Sequence, residues 1–270
     1  GIADGFYRYQ DAGKTENQCD FTLQKREKKT DEFVFIPISD PQVKNEKQLE
    51  RFRSETIPDL VYTVDSLNVP ETIGMQLGDL VWDAMNLYTP YRTTISNLGL
   101  TMFQVMGNHD FNLQYADMER TAEPAKGYGE KNYYEMFGPT DYSFNVGKVH
   151  VIAMKDIDYE GGKKYTERFT EEQLEWLKKD LSYVPEGTTV FLNVHAPVAN
   201  TTVEGGDNVR NANALFRILR PYKAHIFSGH THFYENTLPA AGIYEHNIGA
   251  ACGAWWAGDV NRCGAPNGYL

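Results

Sequence analysis

Five short motifs concentrate the residue types that bind metal ions and transfer protons. They are Asp40-Pro41-Gln42, Gly78-Asp79, Gly107-Asn108-His109-Asp110, His195-Ala196-Pro197 and Gly229-His230-Thr231-His232. Together they offer carboxylate and amide oxygens with imidazole nitrogens, a donor set that suits Mn, Fe or Zn better than Ca or a thiolate-seeking metal. His230 and His232 alternate along an extended segment, so both rings can point the same way. The motifs therefore predict a metal centre with oxygen and nitrogen ligands.

Each motif follows a run of residues that is typical of a buried strand. The predicted strands are Phe33–Ser39, Ile73–Gly78, Leu100–Met106, Val149–Met154, Thr189–Val194 and His225–Ser228. Helical patterns lie between them, and the three clearest run from Leu87 to Leu98, from a capping box at Thr170, and over Asn213–Leu219. This alternation predicts an α/β fold with mostly parallel strands. Because ligands bind beyond the carboxyl ends of such strands, the five motifs can converge on one site.

Composition narrows the class of protein. The chain has 270 residues, of which 41% are hydrophobic, so it forms one large domain with or without small additions and is not disordered throughout. No apolar run approaches the roughly 18 residues of a membrane span. The net charge of −11 argues against bulk nucleic-acid binding, yet a bound metal could still attract an anionic substrate. Three cysteines form no disulfide framework, and pairing of Cys252 with Cys263 stays open.

In this order, the five motifs resemble the calcineurin-like metallophosphoesterase superfamily, whose blocks run D-x-H, G-D, G-N-H-D/E, H and G-H-x-H. The last four blocks match residue by residue. The resemblance implies a four-layer α/β/β/α metallophosphoesterase sandwich with a dinuclear metal site. It places the catalytic domain at 33–250, after an arm at 1–32 that would be the tail of a preceding β-domain. Residues 251–270 would form the seam to a truncated C-terminal domain.

The resemblance also implies how the metal ligands divide. One metal would be held by Asp40, Asp79 and His232, and the second by Asp79, Asn108, His195 and His230. Asp79 would bridge the two, and a solvent hydroxide between the metals would attack phosphorus in line. The cofactors would be two divalent or mixed-valence ions, namely Mn, Fe or Zn, with Mg as the further choice.

Two neighbouring residues receive catalytic roles from the same motif. His109 follows a ligand and is assigned to stabilising the transition state or protonating the leaving alkoxide. Asp110 either orients a neighbouring group or caps the helix that follows. In the protein-phosphatase branch, an aspartate three residues after the bridging aspartate orients this histidine. Trp82 holds that place here and Asp83 comes one residue later, so Asp83 is not expected to orient His109.

Gln42 stands where most of the superfamily has a histidine. Its amide oxygen is a weaker, neutral ligand, so the first metal site is expected to be looser or to prefer a harder ion such as Mn or Mg. A subgroup carries D-P-Q at this place, including bacterial three-part phosphoesterases and a cytosolic phosphoesterase of animals. Gln42 therefore remains a predicted metal ligand, and activity is expected to be retained.

The expected function is hydrolysis of P–O bonds in a phosphorylated substrate, with monoester or diester left open. One alternative is a phosphodiesterase or nuclease acting on nucleotides or lipid headgroups, although no Lys/Arg cluster flanks the motifs. Another is a non-catalytic phosphate-binding protein with one weakened metal site. Substrate choice is expected in the loops at 111–136, 157–169 and 198–212. The bacterial D-P-Q relatives are generally exported, which favours a periplasmic or extracellular location over a cytoplasmic one. The oligomeric state stays open.

Overall fold

The computed structural model describes residues 31–69, 71–112, 125–161, 164–201 and 207–260. The strands in these ranges are β1 (Val34–Ile38), β2 (Thr72–Leu77), β3 (Thr101–Val105), β4 (Tyr142–Val146), β5 (Val149–Ala153), β6 (Ile157–Gly161), β7 (Lys164–Glu167), β8 (Thr189–Asn193), β9 (Lys223–Ser228), β10 (Glu235–Ala240) and β11 (Ile243–Asn247). The α-helices are α1 (Glu46–Arg51), α2 (Ile57–Leu67), α3 (Tyr88–Ser96), α4 (Ala125–Phe137), α5 (Glu171–Leu181) and α6 (Ala212–Leu219). Nearly all of the arm expected at 1–32, together with Cys19 and Cys263, lies outside the described residues.

The strands form two main sheets and a hairpin. The first sheet is parallel with strand order β1-β2-β3, and the second has the order β10-β11-β9-β8-β5-β4. Within the second sheet, β5, β8, β9 and β11 run parallel, while β4 and β10 pair antiparallel at the two edges. Strands β6 and β7 form a separate antiparallel pair. The predicted α/β fold with mostly parallel strands is confirmed.

The two sheets pack face to face through an apolar layer. Phe35 of the first sheet contacts Phe191 and Phe227 of the second, with ring centroids 5.2 and 4.9 Å apart. Ile73, Met75 and Leu77 point into the same layer from β2. Alternate residues point to the opposite face, where Gln76 donates a hydrogen bond to Tyr91 of α3. Helices thus cover the outer faces of the sheets, which gives the four layers α/β/β/α.

Two of the predicted helices are well defined at their ends. Helix α5 begins after Thr170, which exchanges capping hydrogen bonds with Gln173, and it buries Leu174, Leu177 and Leu181. Helix α3 begins at Tyr88 and ends at Ser96, and Gly99 beyond it adopts a φ of +69°. None of the described helices has the length and apolar character that crossing a membrane requires.

Some regular structure was not anticipated from the sequence. Residues 46–67 form one helical run, but a π-helical turn at Phe52–Thr56 interrupts its 3.6-residue period. Two segments expected to be loops are partly regular, since α4 occupies much of 111–136 and the β6–β7 hairpin occupies 157–169. Gly127 and Gly129 lower the helix propensity of α4, so the sequence pattern did not predict this helix.

Candidate metal centre

The carboxyl ends of five strands converge at one edge of the sandwich. The loops after β1, β2 and β3 bring Asp40, Asp79 and Asn108 from the first sheet. The loops after β8 and β9 bring His195, His230 and His232 from the second sheet. Close contacts between side chains link all of these residues, together with Gln42, into one cluster. The seven residues predicted as metal ligands are therefore brought together by the fold.

His195 lies at the centre of this cluster. Its Nδ1 donates to the carbonyl oxygen of Leu77 at 2.7 Å, which directs Nε2 toward the other ligands. Nε2 lies 2.9 Å from Asn108 Oδ1, 3.1 Å from His230 Nδ1 and 3.4 Å from Asp79 Oδ1. Burial lowers the pKa of His195, but the charges of nearby carboxylates outweigh it and raise the pKa to about 9. The site therefore favours a positive charge at this point.

Asp40 and Asp79 are two fully buried carboxylates held by backbone amides from neighbouring loops. The amide of His230 donates to Asp40 Oδ2 at 2.9 Å, and the amide of His109 donates to Asp79 Oδ1 at 2.8 Å. Burial raises the pKa of Asp40, but a contact with His232 and the charge of His195 prevail and hold that pKa well below its usual range. The Asp40 carboxylate is thus arranged to stay ionised, as a carboxylate that binds a metal must be.

Gln42 connects the two carboxylates. Its Nε2 lies 2.8 Å from Asp79 Oδ2 and 3.5 Å from Asp40 Oδ1. The amide oxygen faces Cys252, whose Sγ is 3.9 Å away. A half-turn of the amide would direct Oε1 between the carboxylates instead, where it could bind a cation.

Two further observations test whether this cluster fits a pair of metal ions. Asp79, His195 and His230 each direct one ligand atom so that these atoms lie within 4.8 Å of one another. In addition, His230 Nε2 and His232 Nδ1 are buried and have no hydrogen-bond partner among the described residues. Buried polar atoms without partners are costly, and a bound group would relieve that cost. The residues present therefore fit a dinuclear centre.

Backbone strain is concentrated at the same residues. Asp40, Gln42, Asp79, His230 and His232 all adopt φ values between +43° and +68°. Non-glycine residues seldom adopt this left-handed conformation, and it persists where the surrounding structure enforces it, often at functional sites.

The glycines in the motifs permit the close approach of the two sheets. A Cβ on Gly229 would lie 1.6 Å from Ser39 Oγ, and a Cβ on Gly78 would lie 2.5 Å from His195 Nδ1. Gly78 also needs a φ of +92°. A larger residue at either position would force the loops of one sheet away from those of the other.

His109 contacts Asp83, contrary to the expectation from motif spacing. His109 Nδ1 lies 3.0 Å from Asp83 Oδ1, and the His109 ring stacks on Trp82 with centroids 4.3 Å apart. Asp83 reaches this place because its φ is +54° and its amide donates to the His109 carbonyl oxygen at 3.0 Å. Burial lowers the pKa of His109, but the hydrogen bond with Asp83 and the charges of Asp79 and Asp83 raise it overall.

The Asp110 carboxylate binds backbone amides and does not face the cavity. Gly107 and Leu80 donate to it at 2.9 and 3.0 Å, so it ties the loop after β3 to the loop after β2. This geometry matches the orienting alternative for Asp110. The alternative, in which Asp110 caps the following helix, involves residues 113–124, which lie outside the described residues.

Two other buried acids hold the histidine loops, and neither is among the predicted site residues. Asp156 accepts hydrogen bonds from the amides of His195 and Ala196 at 3.2 and 2.9 Å. Glu245, on β11, accepts from the amides of Val198 and Ala199 at 2.7 and 2.8 Å. It also accepts from the hydroxyl of Ser228 at 2.8 Å, one residue before the Gly229 motif. No motif marks such residues, since their partners are backbone groups far away in sequence.

The segment after β11 supports the Asp40 loop. Ala251 and Cys252 donate backbone hydrogen bonds to the carbonyls of Ser39 and Asp40 at 2.7 and 3.2 Å. The indole Nε1 of Trp256 donates to the carbonyl of Pro41 at 2.8 Å. A cavity of about 510 Å³ opens above the cluster, and Trp255 lines it together with Trp82, His109, Tyr165 and Phe233.

Comparisons with known proteins agree with this geometry. Residues 33–234 match the family model described as calcineurin-like phosphoesterase, and residues 245–270 match a model for the C terminal of calcineurin-like phosphoesterase. A sequence relative is purple acid phosphatase 15 of Arabidopsis thaliana, 26% identical over 64% of this chain and 31% of that protein. The chain thus spans about a third of this relative's length.

Two solved structures share the fold. A dimetal phosphatase from Danio rerio has a TM-score of 0.57 and 17% identity, covering 81% of this chain and 87% of its own. The purple acid phosphatase PPD1 of yellow lupin, Lupinus luteus, has a TM-score of 0.57 and 14% identity, covering 80% of this chain and 43% of its own.

Proposed function

Since the chain belongs to the calcineurin-like phosphoesterase family, a family of metal-dependent hydrolases with dinuclear centres, we propose that it hydrolyses phosphate esters at the buried cluster described above. The observation that supports this most strongly is the convergence of Asp79, His195 and His230, whose ligand atoms lie within 4.8 Å of one another. When bound, two cations would activate a water molecule for in-line attack on phosphorus and would offset the charge on the phosphoryl oxygens.

The ligands divide between the two cations as the family pattern suggests. Asp40 and His232 would hold the first, with Gln42 beside them, and Asn108, His195 and His230 would hold the second. Asp79 has one carboxylate oxygen near His195 and the other near Gln42, which is the position that a bridging carboxylate needs. Mn, Fe or Zn suits this mixed donor set, and Gln42 would also accommodate Mg.

His109 would hold the proton that the leaving oxygen requires. Its Nδ1 is engaged by Asp83, so Nε2 is the nitrogen that can donate. The raised pKa of His109 keeps the ring protonated to a higher pH than an ordinary histidine. Asp110 and Asp156 would act as positioning residues, because their carboxylates hold the loops that carry the ligands.

Gln42 also supports assignment to the D-P-Q subgroup. Membership of its bacterial branch, which we propose as well, would carry with it the division at residues 33–250, the C-terminal seam at 251–270 and a periplasmic or extracellular location. A nuclease receives less support, because no described residue that lines the cavity is Lys or Arg. Monoester and diester substrates are both compatible with the ligand set.

Elemental analysis combined with hydrolysis assays tests this function. The purified chain would be loaded with Mn, Fe, Zn or Mg and assayed on aryl phosphate monoesters and diesters. About two metals per chain with turnover is the expected result, and the preferred ester distinguishes a monoesterase from a diesterase. One metal or none, without turnover after reconstitution, would favour the phosphate-binding alternative.

A further inference from the structure

Trp82, Phe233 and Trp255 form an aromatic surface at the cavity that His109 also lines, and none of the three is a predicted metal ligand or proton donor. From this surface we infer that the leaving group of the natural phosphate ester is uncharged and carries an aromatic ring that packs on Trp255. This inference rests on the proposed phosphoesterase function and adds the substrate class to it.

Trp255 is the most informative part of this surface. Its side chain is 53% exposed although it lines the cavity, and its ring lies 5.1 Å from the His232 ring and 6.5 Å from the Trp82 ring. Phe233, which directly follows a predicted metal ligand, is 52% exposed at the same cavity. Large aromatic side chains exposed together at a polar site are typical of a surface that binds an apolar group.

The position of Trp255 is imposed by its neighbour. Trp256 is buried against Phe52 with ring centroids 6.1 Å apart, and its indole donates to the Pro41 carbonyl. Both tryptophans adopt positive φ values, +51° for Trp255 and +63° for Trp256. While Trp256 anchors the turn in the core, Trp255 is held at the cavity in a conformation that tryptophan seldom adopts.

The position of His109 relates the leaving group to this surface. His109 is the residue assigned to protonate the leaving oxygen, and its ring stacks directly on Trp82. Trp82 in turn contacts Trp255 edge to face. A group attached to the leaving oxygen therefore starts at His109 and extends along Trp82 toward Trp255, where a flat ring finds an apolar partner.

The described residues that line the cavity offer no Lys or Arg to a second anionic group. Lys44 Nζ lies 5.8 Å from the centre of the Trp82 ring, but Lys44 is not among the lining residues. An additional phosphate or carboxylate on the leaving group would thus find no Lys or Arg partner among the described lining residues.

A comparison of matched esters tests the inference. 2-Phenylethyl phosphate and propyl phosphate release alkoxides of similar basicity, so they differ mainly in the ring. With the metal-loaded protein, kcat/KM is expected to be about tenfold higher for the phenyl ester, the size of one favourable aromatic contact. A propyl ester that carries a terminal carboxylate should be hydrolysed more slowly than propyl phosphate.

Variants then assign the preference to one side chain. Trp255→Ala should bring the ratio of the two kcat/KM values close to one, and Trp255→Phe should keep most of it. Tyr62→Ala is the matched control, because Tyr62 is 73% exposed on α2 and does not line the cavity, and it should leave the ratio unchanged.

The possible outcomes separate this inference from the proposed function. Equal hydrolysis of the phenyl and propyl esters by the unmodified protein, or a ratio that survives in Trp255→Ala, would overturn the inference while the phosphoesterase function stands. Absence of turnover on any ester with two metals bound would instead overturn the proposed function, and the inference with it.

Discussion

The two sheets contribute different chemistry to the site and are stabilised by different parts of the chain. The first sheet supplies Asp40, Asp79 and Asn108, so its side of the cluster is made of oxygen ligands. The second supplies three imidazoles from the loops after β8 and β9. The acid that holds the oxygen side, Asp110, lies two residues after a ligand in the same motif. On the imidazole side, the acid is Glu245. Helix α6 and strands β9 and β10 separate it from His195 in the chain.

This difference shows that a ligand and the group that positions it need not be encoded together. In both sheets, a buried carboxylate accepts hydrogen bonds from backbone amides of the loops that carry the ligands. These hydrogen bonds fix the loops, and the carboxylate does not contact the reacting atoms. In the first sheet the positioning carboxylate, Asp110, belongs to the same motif as the ligand, so the sequence shows it. In the second sheet the placement of Glu245 depends on β11 lying beside β9, which is a property of the fold.

The largest expected effect is at the residue shared by both sides. Asp79→Asn removes the charge of the proposed bridging carboxylate while keeping its shape, so turnover of aryl phosphates should fall by at least about 10³-fold. Elemental analysis should show loss of metal, and thermal unfolding should show that the fold is retained. Turnover equal to that of the unmodified protein would exclude a metal centre bridged by Asp79.

His109→Ala should have the next largest effect, because it removes the proton donor from the oxygen side only. The rate is expected to fall by roughly 10²–10⁴-fold while the metal content stays the same. Asp83→Asn is the matched variant, since it keeps the ring and weakens only its hydrogen bond, and it should lower the rate less. If His109→Ala lost metal instead, its assignment as a proton donor would be wrong.

Glu245→Ala tests the distant support of the imidazole side. It would leave the buried amide of Val198 and the partly buried amide of Ala199 without acceptors, so the free energy of unfolding should fall by about 1–3 kcal/mol. Glu175→Ala is the control, because Glu175 is an exposed residue paired with Lys178, and its loss should change stability by about 0.5 kcal/mol or less. Urea unfolding measures both, and equal values for the two variants would contradict the proposed role of Glu245.

The smallest expected effect is the pH dependence of the stability that Glu245 contributes. Burial raises the pKa of Glu245 above its ordinary value of 4.5, although hydrogen bonds from Val198, Ser228 and Ala199 oppose it. The folded protein therefore binds this proton more tightly than the unfolded chain does. Glu245 adds stability below its unfolded pKa, and this contribution is lost as the pH rises through the raised folded pKa.

The stability of the unmodified protein should consequently decrease, relative to Glu245→Gln, as the pH rises above about 4.5. Urea unfolding of both proteins across that range is the measurement, because the glutamine variant lacks this titration. Parallel stability curves would show that Glu245 does not titrate differently in the folded and unfolded states.

Residues near the ligands in sequence were the easiest to predict. The capping box at Thr170 and the strand-end motifs depend on contacts within a few residues, so the sequence displays them directly. Motif spacing argued against a pairing of Asp83 with His109, yet the two side chains are in contact because a positive φ turns the Asp83 carboxylate toward the ring. The helix at 46–67 was missed since a π-helical turn shifts its apolar period.

The sequence by itself determined the donor types of the candidate metal centre, the strand ends that present them and the α/β class, because strand and motif occupy adjacent residues. Only the tertiary structure decided which side chains meet across the two sheets. It brought Glu245 to the histidine loops and placed Trp255 beside the cavity. Those contacts join residues that are far apart in the chain, and their distances are set by the packing of one sheet on the other, which no local pattern records.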